Sequence, residues 1–102
     1  NFNETQILVS GENKELVIFT DKNEYKTNEL MSISGSGARQ SATVTIKMFD
    51  SDEIKISELN ITAKNNGEFA TIWQIPPSLE NGEYNMTVDD GASNTSLKFT
   101  IN

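Results

Sequence analysis

Residues 69–75, Phe-Ala-Thr-Ile-Trp-Gln-Ile, place Phe69, Thr71, Trp73 and Ile75 on one parity. After Pro76-Pro77 and Asn81-Gly82 the beat resumes with Tyr84, Met86 and Val88, and after Asp90-Gly91 with Leu97, Phe99 and Ile101. Successive side chains of a strand point to opposite faces, so this spacing means one dry face and one wet face. Three such strands separated by turn signals predict an antiparallel, all-β sandwich or barrel.

The same reading extends towards the N-terminus. Leu16 to Thr20 is rich in β-branched and aromatic residues and reads as a strand, followed by a turn at Asp21-Lys22-Asn23. Met31 and Ile33 share a face; Gly35-Ser36-Gly37 reads as a flexible loop. Val44, Ile46 and Met48 alternate up to a turn at Asp50-Ser51-Asp52. In Glu53 to Ala63 the phase breaks: Ile54 and Ile56 are even, whereas Leu59, Ile61 and Ala63 are odd. A slip of one residue flips every side chain, so a β-bulge or a switch between sheets is expected at Ser57-Glu58. Asn65-Asn66-Gly67 predicts a hairpin, because Asn-Gly accepts the positive φ of a type I′ turn. No helical periodicity longer than one turn is present.

Seven strands from Leu16 onward complete a two-sheet β-sandwich, which assigns residues 15–102 to one domain of about seven strands. Residues 1–14 are an N-terminal strand or linker. Within them Thr5 to Ser10 is a surplus strand, with Thr5, Ile7 and Val9 on one face. Its surroundings, Asn3-Glu-Thr-Gln-Ile-Leu-Val-Ser10, echo the last strand, Asn94-Thr-Ser-Leu-Lys-Phe-Thr-Ile101. That echo marks Thr5, Ile7 and Val9 as an assembly strand, contacting a neighbouring domain or subunit.

Composition narrows function by exclusion. The 102 residues suit one domain with a core large enough to need no staples. Cys and His are both absent, which removes disulfides, thiolate and imidazole chemistry, and zinc sites built from them. No enzymatic activity is expected. Fifteen acidic against eight basic residues give a net charge of −7, which disfavours nucleic acid and anionic membrane surfaces. No run of apolar residues is long enough to span a membrane as a helix. The chain does not begin with Met and shows no basic-then-apolar leader, as expected of a processed product or a piece of a longer chain.

The order of signals is Asp21-x-x-x-Tyr25-x-x-x-Glu29-x-Met31-x-Ile33-x-Gly35, then Val44-x-Ile46 and the Asp50 turn. Asn66-Gly67-x-Phe69-x-x-x-Trp73, Gly82-x-Tyr84-x-Met86-x-Val88 and Phe99-x-Ile101 follow. This order resembles the immunoglobulin-like domains repeated along archaeal cell-surface and S-layer proteins, those of ammonia-oxidising archaea in particular. It is also similar to the macroglobulin-type and fibronectin-type sandwiches of bacterial surface proteins. Lys26-Thr27-Asn28 stands where that pattern usually has Pro-Gly after the Tyr. The resemblance implies an extracellular, N-glycosylated structural domain of a surface layer, stalk or filament, partnered by its own copies or by neighbouring immunoglobulin-like domains. The competing functions are an adhesin, a carbohydrate-binding module, or a plain spacer within a larger surface protein.

Three groups of residues are candidate sites. Asn3, Asn60, Asn85 and Asn94 each begin an Asn-x-Ser/Thr acceptor for N-glycans. The strand parities turn Asn60 and Asn85 outward. Asp50 and Asp52, with Asp89 and Asp90, lie in turns, where carboxylates and free carbonyls could together supply the oxygens calcium needs; ordinary turn chemistry explains the same residues. Trp73, the only Trp, would stack on a sugar if exposed, but its parity with Phe69 and Ile75 places it in the core.

Overall fold

A computed structural model describes residues 15–102. Among these residues there is no helix, and eight strands form two sheets. One sheet has three strands in the order β1 (Val17–Thr20), β3 (Leu30–Ser36), β6 (Phe69–Gln74). The other has five, in the order β2 (Glu24–Tyr25), β8 (Asn94–Ile101), β7 (Gly82–Asp89), β4 (Thr43–Phe49), β5 (Lys55–Thr62). All pairings are antiparallel except that of β2 with β8, which is parallel. The strand added to the expected seven is this short β2. The turn after Thr20 carries the chain from the edge of one sheet to the edge of the other.

The period-two reading accounts for the core. Met31 and Ile33 on β3, Val44, Ile46 and Met48 on β4, and Met86 and Val88 on β7 are fully buried between the sheets. Phe69, Trp73 and Ile75 enter from the same side as Met31 and Ile33, facing β4 and β7. Phe99 on β8 sits among three other rings. It stacks on Tyr84 at 5.6 Å and meets Tyr25 and Trp73 edge-on at 6.4 and 6.1 Å. Offset stacking and T-shaped contacts suit the ring quadrupoles and add to the burial of large apolar area.

Four local expectations are corrected. The Asn65-Asn66-Gly67 turn forms, but it does not join paired strands: β5 belongs to one sheet and β6 to the other, so it is a crossover. Lys64 N–H donates to Glu68 O at 2.8 Å and Gly67 N–H to Lys64 O at 2.9 Å, closing a three-residue loop. Gly67 alone takes positive φ there, 85°, unlike the two such residues of a type I′ turn. The bulge lies one step earlier than Ser57-Glu58. Met48 faces Ser57 and Phe49 faces Lys55, leaving Ile56 as the extra residue. Ile54 precedes β5, in the turn that begins at Asp50, and is 59% exposed. Finally, Gly35 and Ser36 belong to β3 rather than to a loop. Gly35 is required because the Phe69 ring and the Val17 carbonyl lie where a side chain would begin.

The Asp50–Ile54 turn repeats the hydrogen-bond pattern of the Lys64–Glu68 turn. Asp50 N–H donates to Ile54 O, and Glu53 N–H donates to Asp50 O, both at 3.0 Å. Here the left-handed position is held by Glu53 at φ 65°, where only glycine is unstrained. Two outcomes are expected in urea unfolding. Glu53→Gly stabilises the domain by about 0.5–1 kcal/mol, the relieved strain less the added chain entropy. Phe99→Ala destabilises it by about 3–5 kcal/mol, with a red shift of Trp73 fluorescence.

Candidate functional site

The outer face of the five-stranded sheet gathers the sequons. Register aligns Asn60 on β5 with Thr45 on β4, Thr45 with Asp89 on β7, and Asp89 with Asn94 on β8. Asn85 lies two rows along, between Phe49 and Lys98. All three asparagines face outward from one sheet, Asn60 and Asn94 exposed and Asn85 half-buried. The Thr45 hydroxyl donates to Asn60 Oδ1 at 2.9 Å. A shallow polar groove of about 780 Å³ runs over this face, lined by Thr45, Lys47, Asn85, Thr87, Asp89 and Ser96 among others. No aromatic residue lines it. Asn3, Thr5, Ile7 and Val9 lie outside the described residues.

The turn carboxylates hold backbone rather than one another. Asp50 Oδ1 accepts the N–H groups of Asp52 and Ile54, each at 2.9 Å. Asp89 Oδ1 accepts Gly91 N–H at 2.6 Å. Asp90 is the one buried charged residue among those described, 2% exposed. Its Oδ1 accepts Ala92 and Ser93 N–H at 2.9 and 2.7 Å, and its Oδ2 accepts Arg39 N–H at 2.9 Å, tying the β7–β8 turn to the β3–β4 loop. Burial pushes its pKa upward, but the three N–H donors and the Arg39 charge outweigh that and hold it below the usual aspartate value. The Asp50 and Asp89 turns cap opposite ends of the β4–β7 pair, so the structure does not bring Asp50 and Asp52 together with Asp89 and Asp90. Among the described residues no group of three or more acidic side chains is placed to hold a metal ion.

The aromatic residues that could stack on a sugar face inward. Trp73 is 6% exposed, and Tyr25 and Tyr84 are buried. Tyr25 Oη donates to Asp21 Oδ1 at 2.7 Å and accepts Lys22 N–H at 2.8 Å, and Tyr84 Oη donates to Glu80 O at 2.7 Å. Burial raises the pKa of both phenols, in Tyr25 reinforced by the Asp21 carboxylate. Asp21 also accepts Ser32 N–H at 3.0 Å, and its pKa is lowered, first by the Tyr25 hydroxyl and then by that N–H.

The outer face of the three-stranded sheet is different in kind. On β1 it presents Val17 and Phe19; on β3, Leu30 and three serines. On β6 it presents Ala70, Ile72 and Gln74. None of these nine residues is charged, in a chain with 23 charged residues (8 basic and 15 acidic). Phe19, Leu30 and Ile72 are 58%, 59% and 63% exposed. Sequence reading missed this surface, because these residues lie on the parity assigned to water. The signal available was the absence of charge on both parities of residues 69–75.

No family model and no curated protein matches this sequence. Solved structures do. The sporulation control protein Spo0M of Bacillus subtilis superposes with a TM-score of 0.56 at 14% identity, over 85% of this chain and 47% of that one. A CARDB domain from Pyrococcus furiosus, solved with di-metal ions, gives a TM-score of 0.44 at 8% identity, over 85% of this chain and 92% of that one. The chain thus spans about half the length of Spo0M, and that likeness shows fold alone. Together with the two-sheet topology it defines an immunoglobulin-like β-sandwich. Among the described residues no helix is long and apolar enough to cross a membrane.

Asp90→Ala is expected to destabilise the domain by about 1–3 kcal/mol, since three part-buried N–H groups lose their charged acceptor. Because the folded pKa is lowered, the contribution of this carboxylate is complete above the unfolded aspartate value of about 4 and is lost as pH falls below it. Urea titrations between pH 7 and 2.5 should show a shallower acid limb in Asp90→Asn than in the parent.

Proposed function

We propose that this chain is a non-enzymatic structural domain of an extracellular surface assembly, a layer, stalk or filament, joined to its neighbours by edge-strand and loop contacts. The observation that carries this reading is where the polar chemistry goes. Asp21, Asp50, Asp90, Tyr25 and Tyr84 all bind the domain's own backbone or neighbouring turns, and the aromatic cluster is internal. What remains for partners is surface and sheet edge, which offers unpaired N–H and C=O groups to another strand. Thr5, Ile7 and Val9 supply the strand that reaches a neighbour. N-glycans on Asn60, Asn85 and Asn94 would clothe one face of the five-stranded sheet and leave the other sheet free for contact. The resemblance to archaeal surface domains supports the extracellular setting.

The polar groove over Thr45, Asn85 and Asp89 favours a second reading, an adhesin or carbohydrate-binding module that holds sugar by hydrogen bonds without aromatic stacking. A glycan array separates the two, binding being expected only under the second.

Deleting residues 1–11 should abolish filaments or sheets seen by electron microscopy and reduce the mass measured by light scattering. Far-ultraviolet circular dichroism should not change. Assembly undiminished by the deletion would refute the role given to Thr5, Ile7 and Val9.

A further inference from the structure

Among the described residues four strands, β1, β6, β2 and β5, end a sheet, and three of these edges are blunted. Strand β2 has two residues and β1 has four. Strand β5 carries the bulge at Ile56 and the Lys55–Glu58 ion pair, 2.7 Å long. Charge, brevity and bulges are the devices that keep edges from pairing with other chains. Strand β6 has none of them. It runs six residues, Phe69 to Gln74, without charge, Pro or bulge, with Pro76-Pro77 only beyond its end.

Its hydrogen-bonding groups also face the right way. Ile75 N–H donates to Glu29 O across the β3–β6 pair at 2.9 Å. Backbone groups alternate sides along an antiparallel strand, so those of Phe69, Thr71 and Trp73 point to β3, and those of Ala70, Ile72 and Gln74 point to the open edge. Beside that edge lies the uncharged outer face with Ile72 and Leu30, and a groove of about 330 Å³ crosses the sheet from Phe19 to Ala70, with Lys64 and Glu68 at its rim.

We propose that β6 is the acceptor edge for residues Thr5 to Ser10 of a second copy of this chain, which add to the three-stranded sheet as a fourth strand. The proposal rests on the assembly reading above and names the site that receives the strand. Three observations favour this occupant. Thr5 to Ser10 is six residues long and uncharged, matching β6 in both respects. Its alternation fits both faces of the extended sheet: Ile7 and Val9 continue the inward row of Phe69 and Trp73, and Leu8 falls beside Ile72 on the outer row. Finally, two copies that each carry −7 repel one another, so contact is favoured where neither surface is charged. A donor at one end and an acceptor edge elsewhere make a head-to-tail contact, which builds an open filament, or a ring where the rotation closes.

Sedimentation velocity of four samples tests this: the full chain, Ile72→Lys, the chain lacking residues 1–11, and an equimolar mixture of the two variants. Ile72 is exposed, so the lysine should leave the fold intact, checked by Trp73 fluorescence. The full chain should self-associate and each variant alone should be monomeric. The mixture should form a 1:1 complex and nothing larger, because one variant keeps the donor and the other keeps the edge. A synthetic peptide of residues 1–14 should bind the truncated chain, and Ile72→Lys in that chain should weaken it at least about tenfold. Association of Ile72→Lys equal to that of the full chain, with loss on truncation, would remove β6 and leave the assembly reading standing. Dimers of the truncated chain that Ile72→Lys abolishes would mean that β6 pairs with β6, overturning the donor. A full chain that stays monomeric at millimolar concentration would overturn both readings.

Discussion

Phe99 projects from β8 into the space between the sheets and touches rings from three other strands. Tyr84 comes from the neighbouring strand of the same sheet, Tyr25 from the parallel edge strand β2, and Trp73 from β6 across the core. Each contact constrains a different degree of freedom. The stack on Tyr84 sets the β7–β8 register, and the edge contact with Tyr25 seats the two-residue strand that could not hold on through two residue pairs alone. The edge contact with Trp73 joins the layers. With four large rings committed to one cluster, the inward parity of every flanking strand is decided, and with it which side chains are left to face water.

The carboxylates act at the margins of that core. Asp50 organises the β4–β5 turn, Asp90 clasps two loops, and Asp21 braces the crossing from β1 to β2 through Tyr25 and Ser32. Turns that hold themselves with side-chain oxygens need little from elsewhere, and the two outer faces can then differ. The five-stranded sheet turns out a polar surface with Lys47, Glu58, Asp89 and Lys98, whereas the three-stranded sheet turns out only uncharged residues. Among the described residues one face is uncharged and one edge unblunted, which gives an acidic chain a built-in preference for where it is touched.

Legibility in the sequence followed range. Trp73, Tyr84, Phe99 and the Met and Ile rows were readable because burial alternates with a period of two, which is a local property. The turns at Asp50, Asn66-Gly67 and Asp90-Gly91 were readable from their residue types. Which strands those turns join was not, because a three-residue loop can close a hairpin or send the next strand to the opposite sheet, as it does after β5. The bulge was misplaced by a residue because Ile54 and Ile56 look alike in sequence, and only the facing of Lys55 with Phe49 separates them. Gly35 resembled a loop glycine until the Phe69 ring was found against it.

The chain alone determined its alternation, its turns, its acidity and its lack of His and Cys, because these are properties of neighbours in sequence. Only the tertiary structure decided that β2 runs parallel to β8, that the sequons on β5, β7 and β8 share a face, and that β6 ends its sheet with an unguarded edge. Each of these depends on which strands lie side by side. Strand order is set by how the two layers enclose the Phe99 cluster, a contact among residues as far apart in sequence as Tyr25 and Phe99.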